Sequence, residues 1–169
     1  PVLNPAGVGD IIPFGLYAVA LSRFSGAWTS LKLIAETMDS SASIDVAAET
    51  VSFAAPAGFE PPPGGLHIRW PDSPQEQERR LYRHKLPAVL AFARANRIDR
   101  VALSGPRRRF GIVTTGKSYL DVRQALDDLG LDDRRAADLG ISVYKVGMSW
   151  PLEPEGMRAF AEGLETILV

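Results

Sequence analysis

The chain has 169 residues, of which 46% are hydrophobic and 23% charged, and its formal net charge is −1. This length can bury one ordinary core or two small ones, and the near-neutral charge excludes a general attraction to nucleic acid or to an acidic membrane. No apolar run approaches the roughly 20 residues of a membrane-spanning helix, and the N-terminus lacks a secretory layout, so a cytoplasmic location is expected. The sequence has no cysteine, which excludes disulfides and thiolate ligands.

Apolar residues at helical spacing begin the chain. A helix is predicted over residues 10–23, with one face made by Ile11, Phe14, Ala18 and Leu21. Asp10 is placed to cap this helix, and Pro13 falls where a first turn tolerates proline. A second helix, packed on the first, is predicted to end near Met38, with the apolar face Trp28, Leu31, Ile34 and Ala35. Residues 44–46 are predicted to form a short strand or an extended connection.

Residues 47–72 are punctuated by Pro56, Pro61, Pro62, Pro63, Pro71, Gly58, Gly64 and Gly65. This composition predicts an irregular boundary segment or a surface crossover. Inside it, the alternation of Leu66, Ile68 and Trp70 with polar residues predicts a brief strand over 65–70.

Residues 73–96 carry an apolar stripe at the spacing of an amphipathic helix, made by Tyr82, Leu86, Val89, Leu90 and Ala93. Pro87 should kink or divide this helix. The solvent side is predicted to hold Glu76, Glu78, Arg79, Arg80 and Arg83.

The remainder of the chain alternates between strand and helix patterns. Residues 112–115 and 141–147 predict strands, and residues 167–169 the start of another. The helices between them have apolar faces made by Val122, Ala125, Leu126 and Leu129, and by Met157, Phe160, Ala161 and Leu164. This order predicts a parallel α/β unit in which residues 112–115 lie beside 143–146. The fold class is therefore α/β, a helical N-terminal segment followed by a small parallel-sheet domain.

Residues 111–118, GIVTTGKS, fit the phosphate-loop pattern G-x-x-x-x-G-K-[ST]. The four residues after Gly111 are all β-branched, however, which favours a strand over a loop that wraps a phosphate. Gly116, Lys117 and Ser118 remain candidates for an anion site, because they lie where a strand ends and a helix begins. The interpretation we favour is that Gly116 turns the chain and Ser118 caps the helix.

Other residues that could carry chemistry give weaker signals. His67 and His84 are the only histidines, and neither has a second histidine or a carboxylate at helical spacing to form a metal pair. The run Arg107, Arg108 and Arg109 is typical of a solvated loop beside a strand. No catalytic residue and no metal site is therefore predicted.

Several stretches resemble one family, the thiamine-diphosphate-dependent 2-oxoacid:ferredoxin oxidoreductases, and within it the bacterial indolepyruvate ferredoxin oxidoreductases. They are LYAVALSRFSGAWTSLKLIAETMDSSASIDV (16–46), GLHIRWPDSPQEQE (65–78), KLPAVLAFARAN (85–96), FGIVTTGKSYLDVRQAL (110–126) and LGISVYKVGMSWPLEPEGMRAF (139–160). The resemblance implies the tail of a pyrimidine-binding domain over residues 1–46, a connecting segment over 47–98, and an incomplete domain similar to the transketolase C-terminal domain over 99–169.

For the parent enzyme, the resemblance implies decarboxylation of an aryl 2-oxoacid such as indolepyruvate on thiamine diphosphate and magnesium. Electrons would pass through [4Fe-4S] clusters to ferredoxin, and coenzyme A would take the acyl group. The sequence lacks the G-D-G…N segment and the cysteines that this reaction requires. The first residue is proline and the last three are apolar, so we expect an internal fragment that contains no cofactor and is inactive alone. Its partners would be the remaining domains of a homo-oligomer, with no nucleic acid and no membrane.

Two alternatives from other classes remain open. One is a nucleotide-binding domain that uses Gly116, Lys117 and Ser118, and the other is a plain interaction module.

Overall fold

The computed structural model describes residues 1–44 and 52–169. The elements in chain order are β1 (Val2–Leu3), α1 (Val8–Ser25), β2 (Ser30–Leu31), α2 (Ala35–Met38), α3 (Pro74–Arg80), a π-helical segment (Leu81–Lys85), α4 (Leu86–Ala95), β3 (Arg100–Leu103), β4 (Phe110–Thr115), α5 (Lys117–Asp128), α6 (Asp133–Leu139), β5 (Ile141–Val146), β6 (Met148–Trp150), α7 (Pro154–Ala161) and β7 (Thr166–Leu168). They confirm an α/β protein. No helix in this described part is long and apolar enough to cross a bilayer.

The larger sheet has the strand order β3-β5-β4-β7. The predicted parallel pairing is confirmed residue by residue, from Ile112 opposite Val143 to Thr115 opposite Val146. β7 also lies parallel to β4. β3, however, runs antiparallel to β5, so the predicted purely parallel sheet is wrong and the sheet is mixed. The connection from β3 to β4 holds no helix, and a parallel arrangement would need a longer crossover.

Helices cover both faces of this sheet. On one face, Val143 and Leu103 pack against Leu126 of α5 and Ala136 of α6. On the other face, Tyr144 and Val146 pack against Phe160 of α7. The alternation of side chains along β5 produces these two cores, because successive strand residues point to opposite faces. Ala125 and Leu129, which we predicted on the buried face of α5, are exposed.

A second sheet, with the order β2-β1-β6, joins the start of the chain to a distant strand. β1 pairs parallel with β2 and antiparallel with β6, so that Val2 lies opposite Trp150. The predicted helix from Trp28 to Met38 is wrong, because Ser30–Leu31 forms a strand here and only Ala35–Met38 is helical. Leu31 has an apolar strand neighbour in Leu3, and this tertiary pairing overrides the helical spacing.

Helices α1 and α4 pack beside this second sheet. Their shared core includes Phe14 and Leu21 of α1, Val89 and Phe92 of α4, and Met148 of β6. The predicted helix over 10–23 is confirmed, but it begins earlier, at Val8, after Gly7. Pro13 therefore lies in the second turn. Asp10 is not the capping residue, although its Oδ2 accepts a hydrogen bond from the Ala6 N–H at 2.9 Å.

The helix predicted over residues 73–96 is divided, as expected, just before Pro87. The π-helical segment widens the chain at Leu81–Lys85, and α4 then begins at Leu86. A widened turn accommodates the ring of a proline and the backbone acceptor it leaves without a partner. Two predictions for this helix are wrong. Tyr82 is exposed, and Arg80 is buried, with 8% of its surface accessible.

The proline-rich segment is irregular over its described residues, 52–72, as predicted. The brief strand expected over 65–70 is absent, and Ile68 and Trp70 are largely exposed. The segment nevertheless packs against the helices through Phe53 on Tyr17, with ring centroids 5.7 Å apart, and Phe59 on Phe24, at 5.6 Å. Most of the predicted strand at residues 44–46 lies outside the described residues.

Candidate functional site

The residues that follow β4 were the predicted anion site. Gly111 to Thr115 lie extended in β4, which confirms the strand interpretation of GIVTT. Gly116 turns the chain with φ of +55°, as predicted, and is the N-cap of α5. No side chain caps this helix, so the predicted capping role of Ser118 is wrong. Both Lys117 and Ser118 are exposed.

Lys117 has a partner on its own helix. Its Nζ lies 2.5 Å from Oδ1 of Asp121, one turn further along α5. The hydrogen bond that Lys117 donates to Asp121, together with that carboxylate's charge, raises the pKa of Lys117. The lysine therefore forms an ion pair on the surface of its own helix.

Asn4 covers the carboxyl ends of β4 and β5. Its Nδ2 donates to Oγ1 of Thr115 at 3.1 Å, and that hydroxyl donates to the Val146 carbonyl at 2.9 Å. A Cβ atom placed on Gly116 would come within 2.7 Å of the Asn4 side chain, so only glycine fits there. The edge where parallel sheets commonly bind ligands is thus filled by the chain's own N-terminal segment.

A buried ion pair lies beside Asn4, between β5 and α1. Nζ of Lys145 lies 2.6 Å from Oδ2 of Asp10, and the lysine side chain is 3% exposed. The ammonium also lies over the rings of Tyr119, at 4.9 Å, and Phe14, at 5.8 Å. These contacts satisfy the charge internally and fasten α1 to the larger sheet. Sequence reasoning missed this pair, because a lone lysine in a strand gives no signal of its partner.

Two carboxylates form a second polar group near the start of β6. Oδ1 of Asp99 accepts the N–H groups of Gly147 and Met148, both at 2.8 Å, while its Oδ2 is buried without a partner among the described residues. Burial raises the pKa of Asp99 despite these hydrogen bonds. The pKa of Glu153 is lowered. Burial alone would raise it, but hydrogen bonds from Gly156, Arg94 and Glu155 outweigh the effect of burial.

Both carboxylates accept hydrogen bonds from backbone N–H groups. Asp99 fixes the tight connection from β5 to β6, and Glu153 caps α7 through Glu155 and Gly156. Burial, followed by the charges of Asp99 and Glu153, raises the pKa of Tyr144, whose phenol therefore stays protonated. The group holds structure and does not present a free acid and base to solvent.

Arg107 and Arg109 are exposed, as predicted for a solvated loop, whereas Arg108 is half-buried. Nη2 of Arg108 donates to the Phe160 carbonyl, and its guanidinium lies 5.9 Å from the centre of the Phe160 ring. Arg109 pairs with Glu165 at 3.2 Å. The first contact ties the β3–β4 connection to α7, and the second ties it to the segment between α7 and β7. Within residues 1–44 and 52–169, no group of three His, Asp or Glu side chains could hold a metal ion.

An open groove of about 1320 Å³ lies on the N-terminal side of the molecule, between the end of α1 and the start of α3. We call it the tryptophan groove. Its defining residues are Trp28, Trp150, Tyr82, Arg80, Lys85 and Asp72. The three aromatic side chains are exposed, Trp28 to 95%, so the groove presents apolar surface to solvent. His67 also lines it, whereas His84 does not.

Comparison with known proteins gives one family match. Residues 100–169, from the start of β3 to the end of the chain, match the model of the indolepyruvate oxidoreductase domain. This region contains the whole larger sheet and helices α5 to α7. No curated protein matches the chain. The match supports a role related to indolepyruvate oxidoreductase, and with it an oxidoreductase as the protein to which the domain belongs.

Proposed function

We propose that this chain is a structural part of a thiamine-diphosphate-dependent indolepyruvate ferredoxin oxidoreductase. Such an enzyme oxidatively decarboxylates aryl 2-oxoacids, passes electrons to ferredoxin, and forms the acyl-coenzyme A. The observation that carries the proposal is the domain match over residues 100–169. It is supported by the sequence resemblance outside that region, at residues 16–46, 65–78 and 85–96.

The residues of this chain do not fit the groups that perform the redox chemistry of that reaction. Iron–sulfur clusters are held by cysteine thiolates, and the sequence has none. Magnesium diphosphate needs converging oxygen ligands, and residues 1–44 and 52–169 bring no three acidic or histidine side chains together. We therefore place the cofactor, the clusters and the reacting carbon on other parts of the parent protein.

The role that remains for this chain is structural: it would provide contact surfaces for the parts of the parent protein that carry the cofactor and the clusters. The polar side chains near the ends of β4 and β5 are already paired with the N-terminal segment, Thr115 with Asn4 and Lys145 with Asp10. Large apolar side chains are meanwhile exposed along one side of α1, at Ile12, Leu16 and Val19. An exposed stripe of this kind is typical of contact with another protein surface.

The test compares this chain with a longer one. The purified 169-residue chain, supplied with indolepyruvate, thiamine diphosphate, magnesium and coenzyme A, should not reduce a viologen dye. A chain extended by the coding sequence on both sides should reduce it. Turnover by the short chain would overturn the structural role. Flanking sequence that encodes neither a G-D-G…N segment nor cluster cysteines would overturn the parent assignment.

A further inference from the structure

We propose that the tryptophan groove binds an organic anion in which a planar ring carries a carboxylate or phosphate group. Lys85 and Arg80 would hold the oxyanion, and Trp28 and Trp150 would contact the ring. Apart from Trp150, these residues lie outside the matched domain, and the proposal is independent of the proposed function.

The first argument is an imbalance of charge. Four cationic side chains line the groove, Arg23, Arg69, Arg80 and Lys85, against the two carboxylates Asp72 and Glu78. Asp72 is shared between two of the cations, Arg69 at 3.3 Å and Arg80 at 3.8 Å. Arg80 is buried and its Nη2 donates to the Gly65 carbonyl, but its charge is weakly screened by water and, among the described residues, is balanced only by the shared Asp72, which favours a further anion nearby.

Lys85 is the second argument. Nζ of Lys85 donates to the carbonyl oxygen of Gly26 at 2.8 Å. This contact places the ammonium beside the start of the Trp28 loop. An ammonium has three donors, and within the described residues Lys85 has this carbonyl as its acceptor and no carboxylate partner. Burial, followed by the charge of Arg80, lowers the pKa of Lys85, as expected for a cation that lacks a counter-ion.

The third argument is the set of exposed aromatic side chains, which would contact the ring of the ligand. Trp28 and Trp150 are exposed to 95% and 48% although both are large apolar side chains that proteins ordinarily cover. Tyr82, 60% exposed, stands on the π-helical segment that also carries Lys85. A concave surface with apolar rings and a few converging polar groups is the usual form of a small-molecule site. The joint presence of rings and unbalanced cations points to a ring that bears an anion.

The experiment follows the three tryptophans by the NMR signals of their indole N–H groups. Four probes separate the ring from the charge and the carboxylate from the phosphate: benzoate, phenyl phosphate, phenol and inorganic phosphate. Benzoate or phenyl phosphate should shift the signals of Trp28 and Trp150. Trp70, which does not line the groove, is the internal reference. Phenol lacks the anionic group and inorganic phosphate lacks the ring, so each should bind about tenfold more weakly than the better of the two ring-bearing anions.

The matched variants are Lys85→Met and Lys117→Met. The first should weaken binding about tenfold, because a charge-assisted hydrogen bond is lost. The second removes a lysine from the predicted anion site after β4 and should leave binding unchanged. If Lys85→Met does not fold, the wild-type chain still gives a decision, because binding of the charged probes should weaken severalfold between 0.05 and 0.5 M salt.

Three outcomes would overturn the proposal. They are no shift of Trp28 or Trp150 with any probe at 10 mM, equal binding of phenol and the charged ring probes, and loss of binding in Lys117→Met but not in Lys85→Met. If benzoate binds more tightly than phenyl phosphate, the anion is a carboxylate, and the reverse order identifies a phosphate.

Discussion

The larger sheet is built from strands that meet over several residues, whereas the smaller sheet is built from contacts of two residues. β4 and β5 pair at six successive positions, and helices cover both of their faces. β1 pairs with β2 at only two positions, Val2 with Ser30 and Leu3 with Leu31. The first region can bury its own core. The second depends on helices, on a proline-rich segment and on a strand from far along the chain.

The difference also separates the surfaces of the two regions. In the matched region, residues 100–169, charged groups near the sheet are paired with the helices of the N-terminal region, Lys145 with Asp10 and Glu153 with Arg94. The N-terminal region leaves two of the chain's tryptophans, Trp28 and Trp70, more than 90% exposed. We infer that the first region acts mainly as a scaffold and that contacts with ligands or other domains are made by the second.

The largest expected effect concerns the ion pair that joins the two regions. Asp10→Asn should lower the free energy of unfolding by about 3 kcal/mol, because it leaves the buried Lys145 ammonium without a counter-charge. Asp10→Asn combined with Lys145→Met should recover most of this loss, since neither charge is then buried. Urea denaturation at pH 7 measures both variants. Equal stability of the single variant and the wild type would show that the pair does not fasten α1 to the sheet.

The next effect distinguishes two valines of the larger sheet. Val113 of β4 is half-buried, whereas Val143 of the neighbouring strand β5 has no accessible surface. Val143→Ala should lower the free energy of unfolding by about 2 kcal/mol and Val113→Ala by about 1 kcal/mol. Thermal or urea denaturation gives the order. A larger loss at Val113 would contradict the packing described here.

A smaller effect depends on pH and concerns the cap of α7. The folded-state pKa of Glu153 is lowered, so its contribution to stability is present above the ordinary glutamate value of 4.5 and disappears as the pH falls through the lowered value. Glu153→Gln should therefore lower the free energy of unfolding by about 1.5 kcal/mol at pH 7 and by far less at pH 3. Urea denaturation at the two pH values measures this difference. The exposed Glu155→Gln is the control, and a loss for Glu153→Gln that is equal at both pH values would contradict the assignment.

The smallest effect is expected at Lys117. Its side chain is exposed and, among the residues that the structure describes, pairs with Asp121, so Lys117→Ala should leave the melting temperature close to that of the wild type, with or without ATP. Differential scanning fluorimetry measures this. A phosphate loop would behave otherwise: ATP would raise the melting temperature of the wild type, and Lys117→Ala would abolish the rise.

The sequence predicted the elements whose residues bury a face by themselves. The register of β4 against β5 and the helices α1, α4, α5 and α7 follow from apolar periodicity and from the β-branched run at residues 112–115. The same β-branched run indicated that the phosphate-loop pattern at residues 111–118 is a strand followed by a helix and not a loop that binds phosphate. Local patterns of this kind extend over several residues, so a single tertiary contact does not overturn them.

The sequence did not predict the elements that depend on distant residues. β2 exists because Leu3 lies beside Leu31, and β3 is antiparallel because its connection to β4 lacks a helix. Arg80 is buried where its guanidinium donates to the Gly65 carbonyl and pairs with Asp72. The tryptophan groove has the same origin, since it joins residues from four separate segments of the chain. Helical spacing and composition contain no information about such partners.

The position of β1 at the centre of the smaller sheet also sets an order of events during synthesis. During synthesis, β1 leaves the ribosome long before its partner β6, which includes Trp150. Until then, one edge of β1 has no strand to pair with, and the apolar residues of α1 lack the contact with Met148. The N-terminal region therefore completes its folding only after β6 has emerged, and a nascent chain interrupted before residue 148 would expose an aggregation-prone edge to chaperones.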